Sequence, residues 1–297
     1  MALAARYLPV VNHAILIITA LSPYLVGGAA VAAVLFLRSR RRWLAALAGL
    51  TLAAAVIPQA PQFFVPGNAA ADSIPMRVLT ANLRDGRADP ESVAAAAHRA
   101  DLLVVQELSP QLAHTLNERF LKPDFPYEVL KPGNYAAGVG IWSRYPILQS
   151  GLIPTLTLGG LTATIRPPGA AADVIVASVH VVGPWPQPVD HWRAEMAALP
   201  ATMQNLAVAA GRGSVIVAGD LNATADQKPF RRLLDTGYRD ARRQFGFAAT
   251  WPADLWLPPL IRIDHILTHN STATNAHAVR IAGSDHLALG ATVYGPT

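Results

Sequence analysis

The sequence predicts an α/β protein: a four-layer α/β/β/α sandwich of two packed mixed β-sheets flanked by helices, preceded by an N-terminal transmembrane helical hairpin. Three observations carry this expectation. From about Met76 onward, short apolar runs of strand length alternate with helix-like segments. Several of those runs are continuously apolar, as strands covered on both faces are. Ahead of them, residues 9–37 and 43–65 are nearly free of charge, and the whole chain is 52% hydrophobic and only 14% charged. A typical soluble domain is roughly 25% charged.

The first element is the hairpin. A helix needs about 20 mostly apolar residues to cross a bilayer. Val10–Leu37 and Trp43–Phe64 both offer that length. Arg38, Arg40, Arg41 and Arg42 fill the short connection, and short Arg-rich loops stay cytoplasmic. The expected topology is therefore a multi-pass cell-membrane protein, its partner the lipid bilayer, with everything after residue 65 extracytoplasmic. A cleaved signal peptide fits less well, because the basic cluster follows the first apolar run instead of preceding it. The alternative within the hairpin is a re-entrant first run, folded back about Ser22-Pro23. The resulting division is a membrane region at 1–65 (spans about 10–37 and 43–64), a Pro- and Gly-containing linker at 66–75, and a catalytic domain at 76–297.

In the outer domain the expected strands are 77–80, 102–106, 138–143, 162–165, 174–179, 215–218, 261–268 and 287–293. Helices are expected at 90–99, 111–120, 189–210 and 227–235, the first opened by Pro90. The chain has no Cys, so thiolate chemistry and disulfides are excluded. The formal charge of +5 raises the question of nucleic acid. The arginine block between the two apolar runs accounts for much of that excess without a nucleic-acid face.

Six apolar runs end in a carboxylate, amide or imidazole: Leu79-Thr-Ala-Asn82, Val104-Val-Gln-Glu107, Val176-Ala-Ser-Val-His180, Gly219-Asp-Leu-Asn222, Ile263-Asp-His265 and Ser284-Asp-His286. Burying such a group unpaired costs about 2–7 kcal/mol. Six of them in one domain point to a single site assembled from many strand ends. Carboxylates and His without Cys suit a hard divalent cation, Mg²⁺ first and Mn²⁺ as its substitute. Asp220 and Asn222 are two apart, so on an extended segment they point the same way. By the same alternation Asp264 facing the site turns His265 away from it. A carboxylate such as Asp264 on one nitrogen of His286 would fix its tautomer and raise its basicity.

This ordered set, together with Ser143-Arg-Tyr-Pro-Ile147, resembles the endonuclease/exonuclease/phosphatase superfamily, whose relatives include DNase I, apurinic endonucleases, inositol phosphatases and neutral sphingomyelinases. The two-span anchor resembles the VanJ-type teicoplanin-resistance membrane proteins, a branch associated with polyprenyl phosphates. The resemblance implies that Glu107, Asn82 and Asp285 hold the metal, that Asp220 aligns the attacking water, and that Asn222 contacts phosphate. It implies that Asp264 orients His286, the general base or a phosphate-contacting imidazolium. His180 would hydrogen-bond a phosphoryl oxygen or protonate the leaving group, and Arg144 would reach a second phosphate or head group or, equally, form a surface ion pair. Leu287-Ala288 after Ser-Asp-His departs from the family's usual Arg or Pro, which bears on substrate contacts and not on the chemistry.

The expected function is a membrane-anchored, metal-dependent phosphohydrolase cleaving a phosphoester or phosphoanhydride, such as that of a polyprenyl diphosphate. The rival readings are a surface nuclease acting on nucleic acid, which is less favoured, and an inactive binding module. No protein partner is indicated.

Overall fold

The computed structural model describes residues 6–57, 73–241 and 249–295. The linker's residues 66–72, the end of the second apolar run at 58–64, and the Arg242-Arg243 pair lie outside the described residues.

Twelve strands form two six-stranded sheets among the described residues. In chain order they are β1 (Ile74–Asn82), β2 (Leu102–Gln106), β3 (Tyr127–Pro132), β4 (Gly138–Ser143), β5 (Ile147–Leu152), β6 (Gly159–Ile165), β7 (Val174–His180), β8 (Ser214–Asp220), β9 (Arg239–Asp240), β10 (Asp264–His269), β11 (Thr272–Arg280) and β12 (Leu287–Gly295). The first sheet runs β11-β12-β1-β2-β4-β3 and the second β5-β6-β7-β8-β10-β9. The helices of this domain are α4 (Pro90–Ala97), α5 (Pro110–Leu116, continued by a π-helical turn at Asn117–Leu121), α6 (Val189–Ala210) and α7 (Lys228–Leu234).

Alternation along the strands builds the layers. Val78, Leu102 and Val104 point between the sheets, where they meet Val176, Ile216 and Ile266. Their neighbours Leu79, Leu103 and Val105 point outward onto Val93 and Ala97 of α4 and Leu112 and Leu116 of α5. Val215 and Val217 point outward from the other sheet, beneath Trp192, Met196 and Leu199 of α6 and Phe230 and Leu233 of α7. The result is the α/β/β/α sandwich that the apolar runs predicted. Trp142 and Trp192 are core residues in it.

Two parallel pairs decide where the polar strand ends meet. β1 pairs with β2 and β7 with β8, joined by the crossover helices α4 and α6. Parallel strands joined by a helix finish at the same sheet edge. Asn82 is thus in register with Gln106, and His180 with Asp220. β10 runs antiparallel to β8 and sets Asp264 opposite Asp220. β12 runs antiparallel to β1, so the residues just before it, including His286, arrive at the end of β1.

The first apolar run of the N-terminal region is broken at Ser22-Pro23, the place about which the re-entrant alternative folds. The region forms α1 (His13–Ala20), α2 (Ser22–Arg38) and α3 (Arg42–Val56). α1 is capped by Asn12, whose side chain accepts from Ile15 N. The chain bends by 53° between α1 and α2. Pro23, in the first turn of α2, explains the break, since it offers no amide for a helix continuing from α1. Among the described residues no single helix is long and apolar enough to cross a membrane; α1 and α2 meet that test only as a bent pair. α1 instead packs on the sandwich. Val10 and Leu16 are buried in the same cluster as Trp192 and Phe230, and Arg6 pairs with Asp226 at 2.5 Å.

Candidate active site

The six strand-end motifs converge. Asn82, at the end of β1, donates from Nδ2 to Glu107 Oε1 at 3.0 Å and to Asp220 Oδ2 at 3.1 Å. Its carbonyl-side oxygen accepts from Arg84 N at 2.9 Å. Glu107 Oε2 accepts from Asp85 N at 2.6 Å. His180 Nε2 lies 3.8 Å from both Glu107 Oε1 and Asp220 Oδ2. His286 Nδ1 sits 2.9 Å from Asp264 Oδ2, and its Nε2 faces Asp220 Oδ2 at 3.9 Å. Asn222 N donates to Asp220 Oδ1 at 2.8 Å, and the Asn222 side chain donates to Val181 O at 2.9 Å.

Local backbone explains the residue types. Glu107 and Asn222 both have positive φ, 58° and 47°, so each strand ends in a left-handed turn that reverses the chain under the site. Asn tolerates that conformation; a Glu in it marks strain worth about 1–3 kcal/mol. Gly219 has φ +150°, and a Cβ there would lie 2.0 Å from Val179 O. Only Gly lets β8 approach β7 closely enough to set Asp220 beside His180.

Burial and mutual charge set the electrostatics. Burial, reinforced by the negative charge of Asp264, pushes the Asp220 carboxyl up to about 8. Burial works against a charged His286, yet the Asp264 carboxylate, with Asp220 and Asp285 beyond it, more than offsets this and carries the ring up to about 10. Asp264 is lowered in return, because His286 outweighs its own burial. Burial, with repulsion from His286, holds His180 down to about 4, so it is neutral. Glu107 is raised by burial, against the donors Asn82 and Asp85.

This surplus of buried negative charge fits a cation. Asp220, Asp264 and His286 offer ligand atoms within 4.8 Å of one another. Glu107 Oε1 and Asp220 Oδ2 share one amide donor, Asn82. Both groups are made of oxygen and imidazole donors, the chemistry of a hard divalent ion.

Asp285 stands apart from the compact group. It lines the cleft, its side chain is 27% exposed, and its Oδ1 lies 3.9 Å from Arg84 Nε. Arg144 is a correction. Its guanidinium donates to Ala100 O at 2.7 Å and His98 O at 2.6 Å, and its backbone N–H to Asp101 O. Asp101 precedes β2 whereas Glu107 follows it, so Arg144 sits at the opposite sheet edge, bracing a helix end. A residue that immediately follows the antiparallel β4 must arrive where the parallel strands begin, not where they finish. His265 is turned away as expected: it stacks at 4.2 Å on Phe230 and bonds Asp240 and Ala223 O.

Several supporting residues carried no role in the sequence reading. Fully buried Gln106 bonds Thr80 and, across the sheets, Ser178. Ser284 donates to Asn82 O at 2.7 Å and accepts from His286 N at 3.0 Å, tying the last motif to the first. Both belong to the motifs already singled out, so their position was a signal. The walls of the cleft were less visible. The cleft holds about 630 Å³, and beside the polar floor it is lined by Leu16, Ile17, Val182, Trp185, Trp251 and Ile261.

Comparison with known proteins accords with this geometry. The model of the Endonuclease/Exonuclease/phosphatase family matches residues 79–286. No curated protein matches the chain. Among solved structures, a conserved protein of unknown function from Enterococcus faecalis V583 superposes with a TM-score of 0.61 at 16% identity, covering 74% of this chain and 100% of that one. An endonuclease/exonuclease/phosphatase from Bacteroides vulgatus gives 0.59 at 15% identity, covering 74% and 98%. A humanized D. rerio TDP2 gives 0.57 at 18% identity, again covering 74% and 98%. These likenesses establish the shared fold. With the matched span running from the first site strand to His286, the chain belongs to the Endonuclease/Exonuclease/phosphatase family of phosphoester hydrolases.

Proposed function

We propose that this protein is a membrane-anchored, extracytoplasmic, Mg²⁺-dependent phosphohydrolase acting on a lipid-linked phosphate, with a polyprenyl diphosphate as the model substrate and Mn²⁺ as an alternative ion. The observation that carries the reading is the cleft: a polar, acidic floor beneath apolar walls, with no Lys or Arg among its described lining residues. A polynucleotide groove draws its affinity from Lys and Arg on phosphates. An apolar wall beside a phosphoryl site suits a substrate that is itself half apolar.

A divalent cation held by Glu107, with Asn82 and Asp285 in support, would supply charge neutralisation at the phosphoryl oxygens. The remaining work falls to the side chains. Asp264 fixes the proton on His286 Nδ1 and leaves Nε2–H to donate to a phosphoryl oxygen. Asp220 orients the attacking water and, in its ionised form, accepts its proton, for which burial raises its affinity. Neutral His180 and Asn222 position the remaining phosphoryl oxygens. The VanJ-type membrane proteins that the two-span anchor resembles offer a functional analogy for such an anchored enzyme.

Support for membrane placement comes from the exposed apolar residues of the paired α2 and α3, including Val31, Leu35, Trp43, Leu47 and Leu50, and from Trp256, which is 90% exposed. Helices α2 and α3, 17 and 15 residues long, would reach only about 25 Å at 1.5 Å per residue. That is short of a core about 30 Å thick, a mismatch that local thinning of the bilayer and snorkelling of the flanking arginines would accommodate.

The deciding experiment compares phosphate release from a polyprenyl diphosphate with nicking of plasmid DNA, both with Mg²⁺ and with Asp220→Asn as control. Phosphate release that Asp220→Asn abolishes is the expected result. Nicking alone would move the assignment to a nuclease, and no cleavage of either substrate, nor of a phosphodiester lipid, would favour a binding module.

A further inference from the structure

The N-terminal helix α1 is part of the cleft. Leu16, Ile17 and Ala20 line it on one side, facing Trp251 and Ile261 on the other, with the catalytic Asp220 and His286 below. A phosphoryl group fills only a small part of about 630 Å³. The remaining space is bounded by aliphatic and indole surface.

α1 and the start of α2 are held there by the two lips of the cleft. His13 Nε2 lies 2.9 Å from Pro184 O and 3.0 Å from Gln187 O, on the loop that follows β7. Trp185 in that loop packs edge-on against His13 with ring centroids 4.7 Å apart. One turn past the bend, Tyr24 OH donates to Leu260 O at 2.5 Å on the opposite lip. Leu16 is buried against the sandwich, while Ile17 remains 48% exposed toward the opening. An aliphatic side chain left in a clamped wall above a reactive floor is a surface that awaits apolar contact. Beyond the bend, α2 carries exposed apolar residues, Val31, Val34 and Leu35 among them.

We propose that α1 is the specificity-determining wall of the active site, with Ile17 and Ala20 contacting the alkyl or alkenyl chain of the substrate within its first several carbons from the phosphate. The inference rests on the hydrolase reading of the same cleft and adds to it which residues choose the alcohol portion. The occupant is the hydrocarbon chain of a phosphate ester, entering along α1 with its phosphoryl group on the His286–Asp220 floor. The catalytic domain without α1 would keep its floor and lose one wall.

The test uses the full chain and soluble n-alkyl phosphate monoesters from ethyl to decyl with Mg²⁺, below their micelle concentrations. The wild type should gain up to roughly fourfold in kcat/KM for each methylene that becomes buried, until the wall is covered. Ile17→Asp should lower the decyl-to-ethyl ratio at least tenfold, and Ala20→Trp should shorten the chain length at which the gain stops. Val11→Asp, an exposed position outside the cleft lining, should keep the wild-type ratio. A flat chain-length series in the wild type, or an unchanged ratio in Ile17→Asp, overturns the proposal while leaving hydrolysis intact. Calorimetric binding of decylphosphonate against ethylphosphonate covers the converse case. If no ester is cleaved yet decylphosphonate binds tighter in an Ile17-dependent manner, the subsite stands and the hydrolase reading falls. Equal binding of the two phosphonates by wild type and Ile17→Asp overturns the subsite by a readout that needs no turnover.

Discussion

Asp264 is the residue on which the site's charge balance turns. It accepts from His286, holds that ring charged, and drives Asp220 toward protonation. Asp264→Asn should therefore lower kcat by about 10²–10⁴-fold, the range for loss of a positioned acid–base group. The His286 ring should then titrate below 10, because its chief opponent to burial is gone and only Asp220 and Asp285 remain, and an NMR titration reads this directly. A second consequence concerns pH. Asp220 rises from 3.8 to about 8 on folding, so the folded, metal-free protein binds a proton that the unfolded chain has released, and stability falls as pH climbs from about 4 through 8. His286 rises from 6.5 to about 10; its contribution is complete below 6.5 and is lost as pH rises through 10. The two slopes share a sign. Below about 6.5 neutral His180, lowered to about 4, gives the opposite slope and offsets Asp220, so urea melts of the metal-free protein should show stability declining from about pH 6.5 to 9, and Mg²⁺ beside Asp220 should flatten the decline by favouring its ionised form. At this scale the sequence was informative where a polar residue ended an apolar run, as at Asp220 and His286. At Arg144 it left a head-group contact and a surface ion pair open, and the residue takes the second, beside Asp124 at the far sheet edge.

At the scale of elements, the site depends on how closely β7 and β8 approach. Gly219→Ala would place a Cβ 2.0 Å from Val179 O and 3.0 Å from Gln106 Nε2. Strain of at least about 2 kcal/mol is expected, which for a domain of this size lowers Tm by about 4–8 °C. Calorimetry tests it; an unchanged Tm would mean that the strands separate without penalty. Buried elements were the readable ones. β2, β4 and α6 have the bounds that the apolar runs indicated, since each is covered on a face that requires continuous or periodic apolar residues. β3, β5, β9 and β11 were not anticipated. β3, β5 and β9 lie at or next to sheet edges, and β11 at the far edge, with side chains largely exposed, so little in their composition separates them from loops. Residues 261–263 were expected to extend a strand; they are instead irregular, with Ile261 bridging only to Trp251 before β10 begins at Asp264.

Across the whole molecule, two parts that composition separates are joined by structure. The charge gap at the N-terminus suggested a membrane region distinct from the catalytic domain, yet α1 closes that domain's cleft. Hydropathy reports that a segment avoids water and is silent on whether lipid or protein covers it, which is why the packing of Leu16 on the sandwich was not legible. For the hairpin beyond it, co-flotation of the full chain with liposomes is expected. Replacing Leu35 and Leu47, both exposed, with Asp should reduce it at least tenfold, given roughly 2.5 kcal/mol or more for each charge placed in a bilayer. Retention in the soluble fraction by the wild type would remove the anchor from the account. The central claim is narrower and lies in the floor of the cleft: Glu107, Asp220 and His286 act together on a phosphoester with a divalent ion. The most direct measurement is Mg²⁺-dependent hydrolysis of a short alkyl phosphate by wild type and by Glu107→Gln, with calorimetry to confirm that both fold. The account predicts turnover that chelation removes and that Glu107→Gln lowers by more than about 100-fold; turnover indifferent to chelation and to Glu107→Gln would contradict it.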